Sequence, residues 1–349
     1  MGLNNYYDYF AFGYMLGTMC LGIYLLYIAY YYLLKIDANR KFNFLTMYSK
    51  NDKLPVTLKS TDIQLAENCK EFSETTRQIS DFNDKNFFKW LAGIIDGDGN
   101  FDVRNINSAD PAPLRGRGPK LVLKAIRIKL HNRDIRILNR IQNTLHIGRI
   151  RSDNNKPYSI WIISKKEEML FLINNINGLI RLKVPGLKKS CDYLGIDYIE
   201  ADYNIQANDP YLSGLVDTDG SIVFNYTGNR IECNLEFEHN EYTSKLNLNN
   251  VIPNYKPSVV FRESRNTIAF RYQNVKEMVF LYDYFMKNRL YSDFKFYRVS
   301  KIKGFILIRS YKNDPKDSLE FKKYSDFVLD WIQYKNPIWH KVTFIDKIR

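Results

Sequence analysis

The sequence predicts an α+β protein built from two pseudo-symmetric domains and preceded by a hydrophobic N-terminal segment. Three observations carry that expectation. A short motif occurs twice, as "LAGIIDGDGNF" at 91–101 and "LSGLVDTDGSI" at 212–222. Each copy is followed by segments of alternating apolar and polar residues, and then by stretches with helical periodicity. Residues 9–34 contain no charged side chain at all.

The apolar segment comes first in the chain. Twenty-six residues of helix would span about 39 Å at about 1.5 Å each, enough to cross a bilayer. Tyrosines crowd both ends, at Tyr6, Tyr7 and Tyr9 and again at Tyr30, Tyr31 and Tyr32, as at a membrane interface. No basic residue precedes Lys35, which argues against a secretory signal or an imported presequence. Residues 1–36 are therefore expected to be a transmembrane segment, with the body held on the side of synthesis by the basic residues that follow. Residues 37–80 are polar, carry Pro55, and read as a linker.

Two domains are expected beyond it, at 81–200 and 201–349. In the first, 121–130 and 157–164 alternate as strands do, and 134–145 and 167–176 have helical periodicity. In the second, 231–238 and 267–274 read as strands and 275–286 as a helix. The motif copies align without a gap, pairing Leu91 with Leu212, Gly93 with Gly214, Asp96 with Asp217, Asp98 with Asp219 and Gly99 with Gly220. Asp209 and Pro210 stand where a helix cap and a first turn are expected.

The motif's small residues explain its acids. Gly93 and Gly97 lie four apart, as do Gly214 and Thr218, so each pair shares one helix face and permits close approach of a second backbone. If the two motif helices pack together, Asp98 and Asp219 project from adjacent C-terminal ends. Two carboxylates there repel one another and oppose both helix dipoles. A hard divalent cation resolves that conflict. A lone Asp-Gly pair is most often a turn, which accounts for one copy but not for two behind the same small-residue helix. An EF-hand fails, because Phe101 stands at its glycine position and Asn107 at its final glutamate. Thr218 is larger than the residue such a face favours and is expected to loosen the contact slightly.

Charge and composition narrow the function. Lysine and arginine exceed aspartate and glutamate by 51 to 38, a net charge of +13, which points to a polyanionic partner. Four cysteines and four histidines are scattered without CxxC, HxxxH or HExxH spacing, so zinc chemistry has no support. Asn, Lys, Ile, Tyr and Phe dominate the vocabulary, residues whose codons are A/T-rich, as in a mitochondrial genome. Arg127 and Lys129 alternate with apolar neighbours on a strand, as a groove-reading sheet requires. Arg115 and Arg117 lie in a Pro/Gly/Arg loop, "PAPLRGRGPK", that reads either as a phosphate-following loop or as a solvated basic one.

The paired motifs and the α+β order around them resemble the LAGLIDADG homing endonucleases in their single-chain, double-motif form. The resemblance runs from residue 81 to the C-terminus and is greatest to mitochondrial group I intron proteins. It implies curved antiparallel sheets that bind double-stranded DNA, with Asp98 and Asp219 as catalytic residues and metal ligands for Mg²⁺ or another divalent cation such as Mn²⁺. It further implies a lysine near the scissile phosphate late in each domain, here Lys183 and Lys295, each just ahead of a helix, with Arg181, Arg298 and Lys301 as neighbouring alternatives. Asp96 and Asp217 are expected to be supporting residues. The implied activity is a site-specific double-strand cut for intron homing by a monomer. The alternative is an RNA maturase acting on the host group I intron, with or without cleavage. The corresponding location is the mitochondrion, with residues 9–34 as a tether to the inner membrane.

Overall fold

The computed structural model describes residues 84–106 and 120–348. The uncharged segment 9–34, the polar linker 37–80, Arg115 and Arg117 therefore lie outside the described residues. Among the described residues, no helix is long and apolar enough to cross a membrane.

The chain runs through two copies of one arrangement. The first comprises α1 (Lys85–Asp98), β1 (Gly99–Ile106), β2 (Lys120–His131), α2 (Ile135–Leu145), β3 (Arg149–Ser152), β4 (Tyr158–Ile163), α3 (Lys166–Ile176) and α4 (Val184–Leu194). The second comprises α5 (Tyr211–Thr218), β5 (Ser221–Asn225), β6 (Arg230–Glu238), the short α6 (Glu241–Lys245), β7 (Ser258–Arg262), β8 (Thr267–Tyr272), α7 (Met278–Lys287) and α8 (Asp293–Ser300). Each copy holds a four-stranded antiparallel sheet, ordered β1-β2-β4-β3 and β5-β6-β8-β7. Three C-terminal helices follow: α9 (Ile302–Ile308), α10 (Leu319–Gln333) and α11 (Ile345–Ile348). Phe305 of α9, Trp331 of α10 and Phe344, just ahead of α11, pack around Phe224 of β5.

Local chemistry fixes these elements. The Asp84 carboxylate accepts the backbone N–H groups of Asn86 and Phe87 and starts α1. The Asp209 carboxylate accepts the Tyr211 N–H at the start of α5 and also meets the Lys89 ammonium of α1 at 2.7 Å. In β6, Ile231, Cys233, Leu235 and Phe237 turn into the core, while residues 230, 232, 234, 236 and 238 line the opposite face. Ile126 and Ile128 of β2 are wholly buried and share one core with Ile137, Leu138 and Ile141 of α2 and Leu172, Ile173 and Ile176 of α3.

The halves meet along α1 and α5, which cross at Gly93 and Gly214. A Cβ on Gly93 would stand 2.2 Å from the Tyr211 carbonyl oxygen, and one on Gly214 would stand 2.1 Å from that of Trp90. No side chain other than glycine's hydrogen fits at either point. Thr218, expected to loosen this contact, instead fills the space over Gly97, where a Cβ would fall 2.0 Å from its hydroxyl. That hydroxyl donates to the carbonyls of Gly214 and Leu215 within its own helix.

The strands and helices expected from periodicity are present, and four strands not read in the sequence join them. β1 begins directly after its motif helix, and β5 follows its own after only Asp219 and Gly220. β3 and β7 are edge strands of 4 and 5 residues, too short to show a period. Lys183 caps α4 as expected, but Lys295 lies inside the first turn of α8 rather than ahead of it.

The crossing makes a definite prediction. Gly93→Ala or Gly214→Ala must force the helices apart, costing about 1–3 kcal/mol or more, read as a lowered urea midpoint. Gly304→Ala in α9 meets only Phe327, at an ordinary 3.6 Å, and should raise the midpoint by up to about 1 kcal/mol. Equal effects of the three substitutions would remove the packing argument.

Candidate active site

The C-terminal ends of α1 and α5 lie side by side and bring the motif acids together. Asp98 is the last residue of α1, and Asp219 caps α5. The Asp219 carboxylate lies against the other helix, since a Cβ on Gly97 would stand 3.2 Å from its Oδ2. Asp98 is half-buried, whereas Asp219 keeps an exposed edge. Loss of water, followed by repulsion from Asp219, raises the Asp98 carboxyl above its ordinary range, with Lys183 and Lys295 pulling the other way. The Asp219 carboxyl is also raised, chiefly by loss of water.

The preceding acids have a different task. Asp96 is buried and accepts the backbone N–H groups of Arg181, Leu182 and Lys183 at 2.8, 3.0 and 2.9 Å. Asp217 is buried likewise and accepts those of Tyr291 and Ser292, each at 2.9 Å. Each acid thus fixes the segment leading to one of the two lysines. Each also accepts a bond from the other half: Tyr211 Oη donates to Asp96 at 2.7 Å, and Trp90 Nε1 donates to Asp217 at 3.2 Å. Trp90 and Tyr211 occupy equivalent positions, immediately before the two motifs. Burial pushes the Asp217 carboxyl up to about 6 against the pull of these donors.

Both lysines end at the helix termini. Lys183 Nζ donates to the Gly99 carbonyl just beyond α1, at 2.5 Å. Lys295 Nζ donates to the carbonyls of Val216, Asp217 and Thr218 at 2.7, 2.8 and 2.9 Å, so all three of its protons are engaged. An ammonium here satisfies carbonyls that the helix leaves open and offsets the negative end of its dipole. Lys295 is buried and Lys183 half-buried, and burial lowers both pKa values while the nearby aspartates oppose the shift. The neighbouring cations are engaged elsewhere. The Arg181 guanidinium donates to the carbonyls of Leu179 and Asp202 and covers the Tyr211 ring. Arg298 donates to the Ile222 carbonyl, and Lys301 pairs with Asp330 at 2.6 Å.

Sequence reasoning missed several contributors. Asp134 accepts the Ser292 hydroxyl at 2.6 Å, and Arg136 meets Asp293 at 2.5 Å, so both tie the Lys295 segment to the first half. Nothing in their sequence context distinguishes them from ordinary helix-start residues. Arg127 and Lys129 lie on the open face of the first sheet. There Arg127 pairs with Asp102 at 2.7 Å and Lys129 covers the Tyr158 ring.

The donor set suits a hard divalent ion. Among the described residues, no group of three or more His, Cys, Asp or Glu side chains could hold a metal. Two adjacent carboxylates could hold a hard divalent cation, which retains several waters and takes further oxygens from phosphate. The lysines already occupy the adjacent backbone carbonyls, which leaves Asp98 and Asp219 as the carboxylates that could hold such an ion.

Two like-ordered sheets joined by a crossed helix pair, with paired acids at the crossing, define a single-chain, pseudo-dimeric α+β protein. The model of the LAGLIDADG endonuclease family matches residues 91–198 and 212–306, and the chain belongs to that family. It is 29% identical over 158 residues to the intron-encoded RNA maturase bI4 of Saccharomyces cerevisiae, covering 44% of this chain and 22% of that protein. It is 23% identical over 156 residues to the intron-encoded DNA endonuclease aI3 of the same yeast, covering 39% and 35%. A third relative, the intron-encoded DNA endonuclease ai2b of Dictyostelium discoideum, is 23% identical over 209 residues, covering 58% and 73%. The chain thus spans a minor part of the two yeast proteins. Among solved structures, the LAGLIDADG meganuclease I-CpaMI bound to uncleaved DNA aligns with a TM-score of 0.46 and 18% identity, over 70% of this chain and 98% of that one.

Different stability losses are expected from these charged groups. Asp96→Ala strands three backbone N–H groups and a tyrosine hydroxyl in the core, at about 1–3 kcal/mol for each group left unsatisfied. Asp96→Asn keeps one acceptor oxygen and should cost less. Lys295→Met should lower Tm more than Lys183→Met, because three carbonyls lose their partner instead of one. Thermal melts that rank the two lysines in the opposite order would refute this assignment.

Proposed function

We propose that the chain is an intron-encoded, site-specific DNA endonuclease making a metal-dependent double-strand cut, and that it acts as a monomer because one chain supplies both motif helices. The observation carrying this reading is the juxtaposition of Asp98 and Asp219 at the helix crossing, each half contributing one lysine beside them. Asp98 and Asp219 would hold Mg²⁺ or Mn²⁺. Such an ion lowers the pKa of a bound water and stabilises charge on the attacked phosphate and leaving oxygen. Asp96 and Asp217 hold the lysine-bearing segments in register. Lys183, with one of its protons on the Gly99 carbonyl, offers positive charge toward a phosphate at the acids. Lys295 acts chiefly by fixing the end of α5 and the position of Asp219.

A second reading, an RNA maturase assisting the host intron, is supported by the likeness to the bI4 maturase. The biased residue usage supports a mitochondrial origin for either activity, and residues 9–34 would then supply a tether to the inner membrane.

Cleavage of double-stranded DNA spanning the intron-insertion site of the uninterrupted gene tests the reading. Wild type with Mg²⁺ should cut both strands, whereas Asp98→Asn and Asp219→Asn should nick or fail. Intact DNA alongside tight binding of the intron RNA would instead select the maturase. The raised carboxyls give a pH dependence as well. Metal binding requires the ionised acids, so on lowering the pH Mn²⁺ affinity should fall sooner than it would for carboxylates in their ordinary range. Calorimetric titration of the metal-free protein over a pH series measures this, and a loss of affinity no earlier than that of an ordinary carboxylate would count against the pair as ligands.

A further inference from the structure

The open faces of the two sheets differ sharply in charge. On the first, among the described residues, Arg104, Lys124, Arg127, Lys129, Arg149 and Arg151 gather with a single acid, Asp102. Arg127 and Arg104 both engage that aspartate. Lys124, Lys129, Arg149 and Arg151 have no ion pair among the described residues, and all four are exposed. On the second sheet, the corresponding face carries Arg230, Arg262 and Arg271 against Glu232, Glu236 and Glu238. Arg230 meets Glu232 at 2.6 Å, and Arg262 meets Glu236 at 2.8 Å. Glu232 also accepts from Asn225 and Asn234, and Glu236 from Thr267, so these carboxylates are fixed in place. The fold is pseudo-symmetric, but its electrostatics are not.

We propose that the first sheet supplies the electrostatic part of nucleic-acid affinity and that the second, electroneutral sheet contributes almost none of it, discriminating through polar contacts with base edges instead. This rests on the reading that both sheets face a nucleic acid. Cations neutralising phosphates release counterions, each steepening the salt dependence of binding by about one in log–log slope. A carboxylate cannot accept from a phosphate and finds partners only among amino groups such as cytosine N4. Fixed glutamates on the second sheet therefore lower affinity for sequences that offer no such group. Arginines already bound to those glutamates have little positive charge left for phosphates.

The test needs no knowledge of the target site, because non-specific binding reports the electrostatic part directly. A mixed-sequence DNA duplex is titrated with the full chain by fluorescence anisotropy over a range of KCl concentrations. Arg149→Ala/Arg151→Ala should reduce the slope by about two, with a loss of roughly ten-fold or more in affinity at low salt. Arg262→Ala/Glu236→Ala, which deletes a neutral pair, should leave the slope unchanged. Circular dichroism and thermal melts of both variants establish that they remain folded. Equal slope losses in the two variants, or a full slope in the first, overturn the asymmetry while leaving nucleic-acid binding in place. Absence of salt-dependent binding by wild type overturns both the asymmetry and the reading beneath it.

Discussion

Everything in this protein is referred to the contact between two glycines. Gly93 and Gly214 let α1 and α5 approach until each backbone touches the other. A methyl group in that gap would meet a carbonyl oxygen far inside van der Waals distance. Because the helices are so close, their last residues are close too, and the two sheets hang from a single rigid pair. Apolar burial surrounds the crossing, with Leu91, Ile94, Leu212 and Leu215 wholly enclosed. Such burial favours association without orienting it, so the register of the pair comes from the glycines.

The same approach creates an electrostatic problem. Two helix C-termini and four aspartates converge, and every one of these groups is negative or partly so. The protein resolves most of the conflict internally. Asp96 and Asp217 spend their charge on backbone N–H donors and on an aromatic donor from across the crossing. Lys183 and Lys295 take up the terminal carbonyls. Asp98 and Asp219 remain with no comparable set of donors and with carboxyls shifted toward protonation. The division between structural and open acids thus follows from which carboxylates the surrounding backbone satisfies.

Much of this was legible in the sequence, and for identifiable reasons. The motif repeat exposed the helix pair because glycine at four-residue spacing has few other uses on an apolar helix. The acids stood out because they occupy the wrong end of a dipole. Trp90 and Tyr211 do not stand out in the sequence, since an aromatic residue in a buried helix reads as core and its hydrogen bond depends on a partner more than a hundred residues away. Arg104, Arg149 and Arg151 escaped notice because their strands could not be read. β1 follows its helix without a turn signal, and β3 is too short to show alternation. Lys295 was placed a few residues from its true setting because "SDFKFYRVS" begins its helix at a serine and an aspartate ahead of the lysine. The charge difference between the sheets lay in plain view in the composition of the strands, but only register shows which residues share a face.

The paired aromatic bonds have one more implication. Trp90 reaches into the second half to Asp217, and Tyr211 reaches into the first half to Asp96, so each half holds the donor that completes the other. The ion pair between Lys89 and Asp209, the bond that Ser292 donates to Asp134 and the bond that Arg136 donates to Asp293 cross the same boundary. None of these contacts relies on peptide continuity. The connector between α4 and α5 keeps the halves at high local concentration and itself adds Asp209 and the Asp202 carbonyl to the contacts. Severed there, the two fragments would still carry matching recognition surfaces, and the molecule has the architecture of a dimer recorded in one polypeptide.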